Sequence, residues 1–204
     1  MGLMAQQLQE APHTTTAAPP TPSPLSAQKD LATRVAELEA RLARLPDPDA
    51  MTLLVFSGDL DKLLAAFTIA NGAAATGMQV RMFFTFWGAA ALKSRTLLAG
   101  KSLVERAFGL MLPGGLEHRA LSKLDMLGIG RRLMAREMRR KNVADLPELI
   151  AQAASLGVEI YLCEMSMELM GILPAELVDY PNVQFCGAVK FADLAASGNT
   201  SFFI

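Results

Sequence analysis

The chain has 204 residues, a formal net charge of −1, and a composition that is 51% hydrophobic and 19% charged. This composition argues against a disordered chain, and the charge gives no overall field for binding nucleic acid or anionic membranes. Two cysteines are too few for a secreted disulfide scaffold, and the N-terminus shows no secretory signal, so we expect free thiols and a cytoplasmic location.

The first 46 residues differ in character from the rest of the chain. Residues 11–28 hold five of the eleven prolines and no Asp, Glu, Lys or Arg, which predicts that 1–27 form a disordered linker. Residues 28–46 predict a short coiled-coil helix, because apolar side chains alternate spacings of four and three at Leu31, Val35, Leu38, Leu42 and Leu45. Whether this helix pairs with a copy of itself or docks on the domain stays open.

Short apolar runs alternate with helical segments from Met51 to the end of the chain. We predict strands at 51–56, 78–86, 158–163, 183–186 and 201–204, and helices at 60–76, 147–156, 166–171, 174–179 and 188–196. This alternation is typical of an α/β domain, here 51–204, with a mostly parallel sheet and helices on both faces. In such sheets functional sites gather at the carboxyl ends of the strands.

The weakly charged stretch 63–92 could be interpreted as one or two membrane spans. Its polar and glycine residues favour a buried helix and strand instead, although peripheral membrane association stays open.

The alternation breaks between residues 87 and 146, where we expect a long insertion or lid. Within it, 131–142 predict a basic amphipathic helix containing Arg131, Arg132 and Arg136. This helix either packs its methionine-rich side on the sheet, or forms a rim that attracts anions or docks a partner.

Cys163 is the main candidate for chemistry. It ends a predicted strand, and Ser166 is expected to cap the following helix, whose N-terminus would favour a thiolate. The alternative is that Cys163 is a small residue of the core. Cys186 ends the next predicted strand and is either a second, resolving thiol or a packing residue. No sequence pattern indicates a metal or cofactor site.

Several long motifs resemble the DsrE/DsrF/DsrH-like family, including its larger DrsE-type members labelled peroxiredoxin-family proteins. They are "FSGDLDKLLAAFTIANGAAATGMQVRMFFTFWG", "MLPGG…LSKLDMLGIG", "KNVADLPELI", "CEMSMELMGI" and "NTSFFI". The resemblance implies a Rossmann-like fold, homo-oligomers and cytoplasmic sulfur trafficking between rhodanese-like and TusA-like partners. Cys163 matches the motif cysteine of C-x-M-S-M-x-x-M-G, whereas the resemblance does not extend clearly to Cys186.

The resemblance and the thiol chemistry together predict a sulfurtransferase-like sulfur carrier. Cys163 would hold sulfane sulfur or thiosulfonate and pass it to a partner thiol, with Ser166, Arg131, Arg132 and Arg136 stabilising the anionic intermediate. One alternative is a thiol peroxidase-like redox protein that uses both cysteines. Another is a non-catalytic oligomeric or membrane-associated scaffold of the same fold.

Overall fold

The computed structural model describes residues 24–43, 45–112, 114–116, 119–123, 125–181 and 183–204. It divides the chain into two units, with the boundary between Leu45 and Pro46. Most of the linker predicted for 1–27 lies outside the described residues.

The first unit contains one helix, α1 (Pro24–Leu42), over the predicted heptad seam. The helix begins a few residues before the predicted position 28. Leu31, Val35, Leu38 and Leu42 are 44–66% exposed, so the apolar stripe of α1 is uncovered. Self-pairing of this stripe stays a prediction.

The second unit is built on a five-stranded sheet in the order β4-β3-β2-β1-β5. All four pairs of neighbouring strands are parallel, which confirms the α/β class and the Rossmann-like arrangement. The strands are β1 (Asp47–Val55), β2 (Gln79–Phe84), β3 (Glu159–Cys163), β4 (Gln184–Cys186) and β5 (Gly198–Phe203).

Seven helices belong to this unit within the described residues. They are α2 (Leu60–Ala75), α3 (Trp87–Ala91), α4 (Leu103–Met111), α5 (Ile129–Arg140), α6 (Leu146–Ser155), α7 (Glu164–Met170) and α8 (Ala188–Ser197). The helix predicted for 174–179 is wrong: only a single 3-10 turn, Pro174–Glu176, is present. The buried Glu176 carboxylate accepts hydrogen bonds from Leu97 N–H and Leu173 N–H and pairs with Lys101, and these contacts hold this segment in another path.

Alternate residues of each strand point to opposite faces of the sheet, which separates two apolar clusters. The larger cluster packs the strands against α2 and α6 and includes Leu63, Phe67 and Met82. The weakly charged stretch 63–92 is therefore largely core. Among the described residues, no helix is long and apolar enough to cross a membrane.

The smaller cluster contains Phe83, Tyr161, Cys163 and Leu194. Leu194 belongs to α8, which packs on β1 and β5. The sheet thus carries helices on both faces, as predicted, and Cys163 lies on the face that α8 covers.

Two glycines bring the loops after β1 and β2 together. A Cβ on Gly88 would lie 2.1 Å from the carbonyl oxygen of Val55, and one on Gly58 would lie 2.7 Å from that of Trp87. Both distances are far below van der Waals contact, so this close approach requires the absence of a side chain. These loops form the carboxyl edge of the sheet next to the candidate site.

Candidate functional site

Cys163 ends β3 and is also the N-cap residue of α7. Its side chain is wholly buried. The prediction that Ser166 is the N-cap residue of this helix is wrong, because α7 begins at Glu164, immediately after Cys163. Ser166 lies in the first turn, fully buried, so its hydroxyl is directed into the protein instead of closing the end of the helix.

Two hydroxyls and two backbone N–H groups lie around the Cys163 sulfur. Because the Thr85 and Ser166 hydroxyls also bond to each other, only one of these hydroxyls can donate to the sulfur at a time. Burial raises the pKa of the Cys163 thiol, but the Ser166 hydroxyl, the Ser166 N–H, the Thr85 hydroxyl and the Met165 N–H outweigh burial and leave that pKa below its ordinary value. The thiol makes no N-cap hydrogen bond of full geometry. A thiolate is a much stronger acceptor than a thiol, so these groups are placed to stabilise the anion.

Thr85 is a site residue that the sequence did not indicate. The pairing of Phe84 with Leu162 in β2 and β3 places the next residue, Thr85, level with Cys163. Its hydroxyl lies 2.9 Å from the Ser166 hydroxyl, and Thr85 itself is 8% exposed. The two hydroxyls therefore form a buried pair beside the thiol.

The residue after Thr85 has an unusual backbone. Phe86 has φ 46° and ψ −120°, a conformation that is costly for a residue with a Cβ. Its ring lies 5.4 Å from that of Phe56. The strain thus occurs at the carboxyl edge of the sheet, directly after a residue of the site.

Cys186 lies beside Cys163 in the sheet. The two residues are register partners in the parallel pair β3–β4, both are free thiols, and both belong to the cluster under α8. This arrangement brings both thiols to one edge of the sheet. Burial raises the pKa of the Cys186 thiol, and the nearby Cys163 and Glu164 raise it further. Cys163 is thus the more acidic of the two thiols.

The three candidate arginines lie on α5, as the predicted basic helix requires. Arg131 and Arg132 line a cavity of about 1150 Å³ together with residues of α2 and α6, and Cys163 is not part of that lining. Arg136 is exposed, and none of the described α5 side chains is buried. The structure therefore brings Ser166, but not these arginines, to the thiol.

Metal coordination finds no support in the described part of the chain. There, no three His, Cys, Asp or Glu side chains are close enough together to hold a metal ion. His118 falls outside the described residues.

Comparisons of the sequence with known proteins identify a family and related chains. The sequence pattern of the DsrE/DsrF/DrsH-like family matches residues 48–203. The uncharacterized protein YrkE of Bacillus subtilis is 39% identical over 154 residues, which cover 75% of this chain and 95% of that protein. The sulfur carrier protein DsrE2 of Allochromatium vinosum is 28% identical over 158 residues, covering 76% of this chain and 97% of that protein.

The crystal structure of the ychN protein from E. coli is also similar. It has 12% sequence identity and a TM-score of 0.43, with coverage of 76% of this chain and 99% of that chain. On the match over residues 48–203, the protein belongs to the DsrE/DsrF/DrsH-like family.

Proposed function

We propose that this protein is a cytoplasmic sulfur carrier that holds sulfane sulfur or thiosulfonate on Cys163 and passes it to a partner thiol. The observation that carries the proposal is the position of Cys163, which ends β3 and caps α7 beside the buried, hydrogen-bonded hydroxyls of Thr85 and Ser166. These polar groups lower the pKa of the Cys163 thiol. The name of the relative DsrE2, a sulfur carrier protein, points to the same chemistry.

The transfer steps conserve electrons. The Cys163 thiolate attacks the outer sulfur of a persulfide donor, forming one S–S bond while the donor S–S bond breaks and the donor leaves as a thiolate. Cys163 then carries the persulfide. A partner thiolate attacks the outer sulfur in turn, and Cys163 leaves as a thiolate held by the same donors.

Burial of Cys163 means that the thiol must be uncovered before it can react. The neighbouring strand β4 is only three residues long and lies at the edge of the sheet. We propose that this edge opens transiently without a partner, far enough to admit small sulfur donors, because a short edge strand with few ladder hydrogen bonds is the least costly element to displace. Rhodanese-like or TusA-like partners would bind at the opened edge.

Intact mass spectrometry tests the proposal. The reduced protein is incubated with polysulfide or tetrathionate, beside Cys163→Ser and Cys186→Ser. We expect sulfur or thiosulfonate adducts on the wild type and on Cys186→Ser, and none on Cys163→Ser. A folded wild type that forms no adduct on either cysteine would contradict the proposal.

The register pairing of Cys163 with Cys186 favours a second candidate, a thiol peroxidase-like cycle. Neighbouring strands lie about 4.8 Å apart, within the Cα separation of about 4.4–6.8 Å that a disulfide spans. The two thiols would supply two electrons and two protons, and a peroxide would be reduced to water and an alcohol. Non-reducing mass spectrometry after peroxide treatment would show a loss of two hydrogen atoms for this reaction, and an unchanged mass would exclude it.

We also propose that the protein forms homo-oligomers. The support is the exposed apolar surface at two places: the α1 stripe, and the edge strand β5, where Phe203 is 72% exposed. Multi-angle light scattering of the wild type beside Leu31→Glu/Leu38→Glu and Phe203→Ser separates the two surfaces. Loss of assembly without loss of sulfur loading would assign the surface to assembly alone, and a monomeric wild type would refute this part.

A further inference from the structure

A second cavity lies at the same edge of the sheet, next to β1. Strand β1 has β2 on one side and β5 on the other, and the chain reaches these neighbours through helices on opposite faces. The strand order thus changes direction at β1. Open α/β sheets bind ligands at such a point, just outside the carboxyl ends of the strands. The loops after β1 and β2 enclose here a cavity of about 410 Å³.

The lining of this cavity combines apolar and charged residues. Phe56, Trp87 and Leu112 supply the apolar wall. Lys62 and Arg119 supply two cations. This volume and this mixture are typical of a site for a small organic molecule with one charged group.

Arg119 is the unusual residue of the lining. It is only 4% exposed. One terminal nitrogen, Nη2, donates to the Ala90 carbonyl at 2.8 Å, but Nε is buried without a hydrogen-bond partner among the described residues. Burial lowers the pKa of Arg119 to about 10, and no described carboxylate offsets that effect. A buried cation with an unused donor is a costly arrangement unless a ligand satisfies it.

Two further buried cations near Arg119 add to the excess of positive charge. Lys93 and Lys101 are 1% and 8% exposed, and both pair with the fully buried Glu176, at 3.9 Å and 2.6 Å. Arg119 acts electrostatically on Lys93, so the three cations form one cluster. In the part of the chain that the structure describes, three buried cations share one buried carboxylate.

Lys62 and Asp59 are the other charged residues of the lining. The Lys62 ammonium contacts the Ser57 hydroxyl at 3.2 Å and the Asp59 carboxylate at 3.0 Å. Asp59 is thus neutralised locally. The Asp59 carboxylate balances the charge of Lys62, whereas no carboxylate of the described lining balances that of Arg119. The lining therefore attracts an anion.

We propose that this cavity is a binding site for a small organic oxyanion, a phosphate, sulfonate or carboxylate carried on a planar apolar group. The oxyanion would accept hydrogen bonds from Arg119 and Lys62, and the planar group would lie against Phe56 and Trp87. This site is separate from the sulfur chemistry: Cys163 does not line the cavity, and Cys163→Ser therefore binds the ligand unchanged.

Trp87 provides a direct readout, because it is the single tryptophan of the chain and lines the cavity. The full chain is titrated with phenyl phosphate and with benzenesulfonate while its fluorescence and the heat of binding are recorded. Benzyl alcohol, which is neutral, and inorganic phosphate, which lacks the ring, are the comparison probes. We expect saturable binding in the millimolar range for the two aryl oxyanions and weaker binding of both comparison probes.

Variants assign the binding to the cavity. Removal of a charged hydrogen-bond donor by Arg119→Gln or Lys62→Gln is expected to weaken binding about ten- to one-hundredfold. Lys190→Gln on α8 is the matched control and leaves binding unchanged. If Arg119→Gln does not fold, Arg119→Lys and Lys62→Gln carry the test, because Lys62 is partly exposed and its loss leaves the core intact.

Three results would overturn the proposal. They are the absence of saturable binding for both aryl oxyanions, equally tight binding of benzyl alcohol, and equal weakening by Lys62→Gln and Lys190→Gln. Loss of sulfur loading in Cys163→Ser together with unchanged binding of phenyl phosphate would support both sites as independent.

Discussion

Removal of the Ser166 hydroxyl should change the reactivity of Cys163 in a direction that depends on pH. Ser166 lowers the pKa of Cys163 through both its hydroxyl and its N–H, and Ser166→Ala removes the hydroxyl while keeping the N–H. A hydrogen bond to a charged group contributes about 1.5–3 kcal/mol. Other donors remain around the sulfur, so we take about 1.5 kcal/mol, the lower end of this range. This energy raises the pKa of Cys163 by about one unit, so the thiolate fraction of the variant is roughly tenfold smaller at a pH below the pKa values of both the wild type and the variant.

Nucleophilicity partly offsets this loss. A thiolate with a higher pKa attacks faster, with a Brønsted slope of about 0.4–0.5, so a tenfold loss of thiolate accompanies roughly a threefold gain in the rate of each thiolate. Ser166→Ala should therefore react about three- to fourfold more slowly than the wild type below both pKa values. Above both pKa values it should react about threefold faster.

The assay is the rate of disulfide exchange with dithiodipyridine from acid to alkaline pH, in a Cys186→Ser background that leaves one thiol. Thr52→Val is the matched control, because the Thr52 hydroxyl is also buried in the sheet but donates to the Leu194 carbonyl at 3.2 Å. We expect the rate profiles of Ser166→Ala and its parent to cross, and that of Thr52→Val to stay parallel to the parent. Slower reaction of Ser166→Ala at every pH would refute the reasoning, because it would indicate a purely structural effect.

Three further predictions concern stability. Gly88→Ala should lower the free energy of unfolding by about 1–3 kcal/mol or more through overpacking. Gly72→Ala is the control: this residue lies in α2 with open space around an added Cβ, so the substitution should raise the free energy of unfolding by about 0.5–1 kcal/mol. Equal effects of the two substitutions in urea denaturation would contradict this prediction. Lys101→Met leaves the buried Glu176 carboxylate without its 2.6 Å partner, and we expect a loss of about 3–5 kcal/mol in the same assay. Burial raises the pKa of Tyr180 from 10.0 to about 12. The neutral phenol therefore contributes stability that is complete below pH 10 and is lost as the pH rises through about 12. Between these two pH values, the free energy of unfolding of Tyr180→Phe in urea should fall less steeply with pH than that of the wild type.

The sheet and the position of the thiols could be predicted from the sequence because both depend on local pattern. The central strands β1, β2 and β3 contain short apolar runs, and a strand buried on both faces has this signature. Cys163 and Cys186 each end such a run, so parallel strands bring them to one edge whatever the details of packing. The glycine in left-handed conformation at the end of α7, Gly171 with φ 61°, likewise follows from local sequence.

The missed features depend on contacts between distant parts of the chain. Thr85 reaches Cys163 only through the register of β2 with β3, which no local pattern encodes. Pro174 does begin a turn as predicted, but the buried Glu176 replaces the rest of the helix with contacts to residues about eighty positions away. Helix α4 did have a local signal, the capping box formed by Ser102 and Glu105, which the irregular surrounding sequence obscured.

The character of the donors around Cys163 bears on its use as a carrier. The groups that most lower its pKa are hydroxyls and backbone amides of the described residues. The thiolate and the persulfide are both singly charged anions, but the persulfide carries its charge on the outer sulfur, about 2.0 Å beyond Sγ. Flexible hydroxyls can follow this shift of charge more easily than backbone amides can. A cation at contact distance would hold an anion more strongly and would also slow its release. A site that both accepts and gives up sulfur needs an anion that is stabilised but can still leave, and neutral donors meet this need better than a cation at contact distance.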